Sequence, residues 1–141
     1  MNDIKALIAD DDESISWVLD RFLSEKGISA LKAGDGVEAS RLLKTPGISL
    51  ALIDINMPGK DGLQLLREIK LAGLPMAVII MTAEATMENT LEAMKLGAFD
   101  YMTKPFDLAE LDIIVNRALE NLSLMQKFAS LSERLKERLK T

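Results

Sequence analysis

Apolar residues alternate along the chain between two patterns. Five short runs, Ile4 to Ala9, Ile28 to Ala33, Leu50 to Asp54, Ala77 to Met81 and Phe99 to Met102, place apolar side chains on neighbouring positions rather than every second one. Strands covered on both faces have that pattern. Between them, segments 13–26, 36–45, 61–71 and 84–96 repeat their apolar residues at helical spacing. Leu19, Phe22 and Leu23 mark the inner stripe of the first, and Leu63, Leu66 and Ile69 that of the third. Leu91, Met94 and Lys95 straddle the edge of the fourth. Gly27, Gly73 with Pro75, and Gly97 stand where the first, third and fourth helices should stop.

Five strand–helix units in about 120 residues predict an α/β domain built on a parallel sheet. Right-handed crossovers leave few topologies. The expected one is a doubly wound five-stranded sheet in the order 2-1-3-4-5, the flavodoxin-like arrangement. The last segment differs. From Asp107 to about Lys140 there is no glycine or proline, and apolar residues recur at helical spacing. A helix of that length is roughly 50 Å long, whereas a domain of about 120 residues has a radius of gyration of roughly 13–14 Å. Its distal half must project or bind something.

Within that helix, Leu111, Val115, Ala118, Leu122 and Met125 form a stripe expected to pack on the sheet. Phe128, Leu131, Leu135 and Leu139 form a second stripe, rotated from the first, as when a helix changes its partner face. The chain therefore divides into a domain over residues 1–122 and a helical extension over 123–141, read as a short coiled coil that makes a homodimer. A charged helix ordered only in a longer protein is the alternative.

Composition narrows the chemistry. The 141 residues are 48% hydrophobic and carry a net charge of −5, with no cysteine and no histidine. A core is affordable, a disordered acidic tail is excluded, and thiolate or imidazole sites are impossible. No concentrated basic patch suits direct nucleic-acid binding. No signal peptide or membrane-length apolar span is visible, so a cytoplasmic location with no membrane partner is expected.

Candidate chemistry gathers at strand ends. The first strand runs into Asp10-Asp11-Asp12-Glu13, and the third ends in LIDINMPG with Asp54 at its tip. In a doubly wound sheet, ligands bind at the carboxyl ends beside the switch point, here between the first and third strands. Helix capping accounts for Asp12, Glu13 and Asp61. It does not account for Asp10, Asp11 and Asp54. Clustered carboxylates without histidine or cysteine suit a hard cation such as Mg2+, and a carboxylate beside such a metal can accept a phosphoryl group. The fourth and fifth strands end in VIIMTA and DYMTKPF, offering Thr82 and Lys104 at the same edge.

Together the acidic run, DINMPGKDG, MTA and KPF resemble the receiver domain of two-component response regulators over roughly residues 3–122. WVLDRFL, VIIMTA, GAFDY and KPFD are most similar to the nitrogen-regulatory, enhancer-binding activator class. The resemblance implies that Asp54 is the phospho-acceptor, charged by a sensor histidine kinase. It implies Mg2+ held by Asp11 and Asp54, by the Asn56 carbonyl, and by Asp10 through water. Thr82 and Lys104 would contact the phosphoryl group, Tyr101 would be the aromatic switch, and the Lys104-Pro105 bond would be cis. Asn56 and Glu84 would tune phosphoryl lifetime more than metal affinity. Ser16 stands where relatives often carry arginine. Members of this class continue into an ATPase domain and a DNA-binding domain, so the domain is expected to be a switch rather than an enzyme.

Two rivals share parts of the pattern. A haloacid-dehalogenase-like magnesium phosphohydrolase also uses an aspartyl phosphate, but it places the nucleophile after the first strand with a second aspartate two residues on. Position 56 is asparagine, and there is no cap insertion. A flavodoxin-like cofactor binder would need a phosphate-cradling loop after the first strand, where DDDES stands instead.

Overall fold

The computed structural model describes residues 4–140; residues 1–3 and 141, the outer ends of the expected domain and extension, lie outside the described residues. Five strands alternate with five helices: β1 (Lys5–Ala9), α1 (Glu13–Glu25), β2 (Ser29–Ala33), α2 (Gly36–Leu42), β3 (Ile48–Asp54), α3 (Gly62–Ala72), β4 (Ala77–Thr82), α4 (Met87–Lys95), β5 (Asp100–Thr103) and α5 (Leu108–Lys140). All strand pairs are parallel, in the order β2-β1-β3-β4-β5. The expected fold is the observed one.

The runs of consecutive apolar residues are explained by two separate cores. Leu7, Ala9, Ala51, Ile53, Val78 and Ile80 point to one face, beneath α2, α3 and α4. Their neighbours Ala6, Ile8, Leu50, Leu52, Ile79 and Met81 point to the other, beneath α1 and α5. Each large side chain buried this way contributes about 1.5–3 kcal/mol. The edge strands β2 and β5 are only partly buried.

Helix ends follow local chemistry. Asp12, Asp35, Asp61 and Thr86 cap α1, α2, α3 and α4 by accepting backbone N–H bonds. Asp61 forms a reciprocal capping box with Gln64. Helix α4 starts at Met87 rather than at 84, because Glu84 is held in a turn by Thr82 and the cap falls on Thr86. Helix α2 stops at Leu42, short of the expected 45.

The stripes of α1 and α3 are as expected, with Leu19, Leu23, Leu63, Leu66 and Ile69 buried and Phe22 half-buried. Helix α4 differs. Leu91 and Met94 are exposed, and Ala93 is its one buried residue. Polar ties hold it to α3: Arg67 pairs with Glu92, and Lys70 Nζ donates to the Lys95 carbonyl at 3.1 Å.

Helix α5 is continuous over 33 residues. Leu111, Ile114, Val115 and Ala118 are buried and Leu122 is half-buried. Met125 is 57% exposed, so the sheet-facing stripe fades one turn earlier than its spacing suggests, and Ile114 belongs to it. Phe128, Leu131, Leu135 and Leu139 are all exposed, as is Leu124 one turn before Phe128.

Close backbone packing fixes the loop between β3 and α3. A Cβ on Gly62 would lie 2.5 Å from the Asp54 carbonyl oxygen and 2.9 Å from Ile55 Cα. Gly62→Ala is expected to lower unfolding free energy by roughly 1–3 kcal/mol in urea titration. Gly34→Ala, where an added Cβ meets nothing within 4 Å, should change it by about 0.5–1 kcal/mol at most.

Candidate functional site

The parallel register assembles the site. Ala9 is paired with Ile53, so the next residue on each strand, Asp10 and Asp54, stand side by side at the carboxyl edge. Asp54 is paired with Met81, and Thr82 with Thr103, which brings Thr82 and Lys104 to the same edge. The Lys104 N–H donates to the Thr82 carbonyl at 2.7 Å, and the Lys104-Pro105 bond is cis.

Asp10 and Asp54 are only 2% and 5% exposed. Lys104 Nζ bridges them, donating to Asp10 Oδ2 at 2.6 Å and to Asp54 Oδ2 at 3.1 Å. The second oxygens accept backbone N–H bonds, from Asp12 at 2.9 Å and Asn56 at 3.2 Å respectively. Asp11 is exposed beside them, and one oxygen from each of Asp10, Asp11 and Asp54 falls within 4.8 Å of the others. Three converging carboxylates, with hard oxygen donors and no softer ligand, could hold a divalent metal ion.

Burial dominates the ionisation of Asp54 and pushes its carboxyl above the usual value of 3.8, with Asp10 adding to the rise, against the opposing pull of Lys104 and the Asn56 N–H. Burial alone would lower Lys104, but its bonds to Asp10 and Asp54 win and hold it above 10.5. Asp54 is thus a strained anion and Lys104 a firmly charged cation.

The remaining expected residues are placed unequally. Asp12 caps α1 and Asn56 lies exposed on the β3–α3 loop. Thr82 is buried, but its hydroxyl is turned to its own chain: it donates to the Glu84 carbonyl at 2.9 Å and accepts the Glu84 N–H at 3.1 Å. Tyr101 is half-buried against the α2–α3–α4 core, and Glu84 is exposed. Ser16 is buried and its hydroxyl donates to the Asp10 carbonyl at 3.4 Å. A polar link behind the site had no signature in the sequence: Lys60 on the β3–α3 loop reaches Ser40 of α2 and Glu68 of α3. These three residues show no periodicity, and only the packing of two helices unites them.

The raised carboxyl of Asp54 costs stability as pH climbs. Its folded value lies above its unfolded one, so stability is greatest in acid and falls as pH rises from the usual value through the raised one. Asp54→Asn should therefore raise the metal-free melting temperature at neutral pH and flatten its pH dependence on the acid side. Lys104 has the opposite consequence: its contribution is whole below 10.5 and disappears as pH rises through its elevated value. A steeper alkaline loss of stability in wild type than in Lys104→Met, followed by circular dichroism, checks this.

Known proteins share both the sheet and the sequence. Residues 6–116 match the profile of the response regulator receiver domain. The DNA-binding transcriptional regulator NtrC of Klebsiella pneumoniae is 43% identical over 122 residues, 86% of this chain and 26% of that protein. The regulatory protein AtoC of Escherichia coli is 37% identical over 131 residues, 93% of this chain and 28% of that protein. The chain thus spans about a quarter of the length of these curated relatives. The crystal structure of a response regulator receiver domain protein from Clostridium thermocellum superposes with a TM-score of 0.79 at 34% identity, covering 86% of this chain and 98% of that one. The resemblance to nitrogen-regulatory activators is borne out by such relatives, and the chain belongs to the receiver-domain family of two-component response regulators.

Proposed function

We propose that this domain is a phosphorylation switch in which Asp54 accepts a phosphoryl group from the phosphohistidine of a sensor kinase in the cytoplasm. The observation that carries this reading is the bridging of Asp10 and Asp54, from separate strand tips, by the single cation of Lys104. A carboxylate oxygen of Asp54 forms the new O–P bond as the N–P bond of the donor breaks, and the imidazole leaves. Mg2+, held by Asp11 and Asp54, by the Asn56 carbonyl and by Asp10 through water, would offset the negative charge gathered there. Lys104 is already within bonding distance of Asp54 and can follow the oxygens of the attached group.

Thr82 supplies the switch. Its hydroxyl must leave the Glu84 carbonyl to reach a phosphoryl group on Asp54, and the turn after β4 must rearrange with it. Helix α4 begins just beyond that turn and is held by one buried side chain and a few polar ties, so it can follow. Tyr101, half-buried on the neighbouring strand, moves inward into the space Thr82 vacates. Reversing a 1:99 equilibrium requires about 5.5 kcal/mol of preference between states. Two or three charge-assisted hydrogen bonds at roughly 1.5–3 kcal/mol each supply that. Asn56 and Glu84, exposed at the rim, set how readily water reaches the phosphoryl group.

The output is transmitted through α5. The helix beyond Leu122 pairs with a second copy along Phe128, Leu131, Leu135 and Leu139, all exposed, and the exposed Leu124 extends that face one turn back. In a longer protein this helix leads to an ATPase domain and a DNA-binding domain, consistent with the transcriptional regulators among its relatives.

Acetyl phosphate with Mg2+ should label wild type and leave Asp54→Asn unlabelled by mass spectrometry, with chelation of the metal abolishing labelling. Label persisting after Asp54 is replaced would refute the assignment. Mg2+ at 100 times its dissociation constant should raise unfolding free energy by about 2.7 kcal/mol. Truncation after Leu122 should convert a dimer to a monomer in light scattering; an unchanged mass per particle would remove the pairing role of the extension.

A further inference from the structure

The β3–α3 loop carries two sets of anchors, and only the inner set belongs to the acid site. There the Gly62 N–H donates to the Ile55 carbonyl at 2.9 Å. The tip of the loop rests instead on α2. The Gly36 N–H donates to the Pro58 carbonyl at 3.1 Å, and a Cβ on Gly36 would come within 1.9 Å of the Lys60 carbonyl oxygen. The first turn of α2 is thus a wall in direct backbone contact with residue 60.

The Lys60 side chain completes the tie. Its Nζ donates to Ser40 Oγ at 3.1 Å and to Glu68 Oε2 at 3.0 Å, while the Ser40 hydroxyl donates to Glu68 Oε1 at 2.6 Å. Burial opposes the charge on Glu68, but the bonds from Ser40 and Lys60 outweigh it and hold the carboxyl below its usual range. One loop, α2 and α3 therefore meet at a single ion pair with a hydroxyl between its partners.

We infer that Lys60, with Ser40 and Glu68, is a positioning residue for the metal-binding loop, holding its tip against α2 and so setting where the Asn56 carbonyl stands relative to Asp54. The inference rests on the metal site proposed above. Between residues 60 and 56 the chain has little freedom to absorb a shift. Met57 is buried, Pro58 has its φ locked by its ring, and only Gly59, at φ +80°, is a soft joint. Movement of the tip is passed inward to Asn56, whose N–H already bonds Asp54. Lys60 and Glu68 are 40% and 38% exposed at their side chains. Solvent screening therefore limits the effect to about three- to tenfold in metal affinity, below the 10–100-fold of buried supporting partners.

The test uses the full chain and two readouts. Calorimetric titration with MgCl2 should show Lys60→Met, which keeps the stem and removes the donor, binding about three- to tenfold more weakly than wild type. Ser40→Ala and Glu68→Gln should weaken it in the same direction, and the reversed pair K60E/E68K should recover most of the loss. In metal-free protein, amide hydrogen exchange at Asn56 and at Gly36, whose N–H bonds the Pro58 carbonyl, should quicken in Lys60→Met while β1 and β4 keep their protection. Unchanged Mg2+ affinity in Lys60→Met, with wild type binding the metal, overturns the positioning role alone. Faster exchange throughout the sheet overturns it too, because the loss would then be one of general stability. A wild type that binds no Mg2+ overturns the metal site, and this inference with it.

Discussion

Two carboxylates forced together at the tips of adjacent strands are the constraint around which this domain is organised. The pairing of Ala9 with Ile53 leaves Asp10 and Asp54 no choice but to stand side by side. Both are buried, and like charges in a low-dielectric setting repel strongly. Lys104, delivered from the far edge of the sheet by β5, offsets part of that repulsion. Burial of the Asp54 carboxyl, with a smaller push from Asp10, still outweighs Lys104 and the Asn56 N–H and leaves that carboxyl above its usual value. A site with three converging carboxylates and one lysine is one that a divalent cation can complete.

The fold makes that tension tolerable. Beneath the acids, β1, β3 and β4 are covered on both faces by two independent cores, so the strand tips are set by packing rather than by the charges they carry. At the rim the structure is looser by degrees. The β3–α3 loop is fastened at both ends, by Gly62 inside and by Gly36 and Lys60 outside. The turn after β4 is held by the bonds between the Thr82 hydroxyl and the Glu84 backbone, and α4 beyond it buries a single alanine. Packing is thus graded from the sheet toward the α4 side, where fewer buried contacts hold the chain.

Much of this was legible because the chain advertises it redundantly. Consecutive apolar residues betray strands with two covered faces, and the acids, Thr82 and Lys104 fall directly after those strands. The topology then places them together. What escaped had no repeating pattern. Leu91 and Met94 look like a buried edge by size, yet small Ala93 takes the inward position. Met125 continues a helical spacing past the end of the sheet that gave it meaning, and Ile114, adjacent to Val115, joins the buried face unannounced. The link from Lys60 to Ser40 and Glu68 spans three elements, so only their packing reveals it. The direction of the Thr82 hydroxyl is a conformational choice, and composition does not encode it.

Helix α5 belongs to two environments without a break. Its first turns pack on the sheet through Leu111, Ile114, Val115 and Ala118, while the residues beyond Leu122 continue as the same helix with mostly exposed side chains. About 18 residues at about 1.5 Å each give an arm of roughly 27 Å. A tilt of about 10° at its root sweeps the free end by roughly 5 Å, nearly a full helical pitch. Any change in how the buried first turns of α5 seat on the sheet is therefore enlarged along the exposed arm by leverage alone.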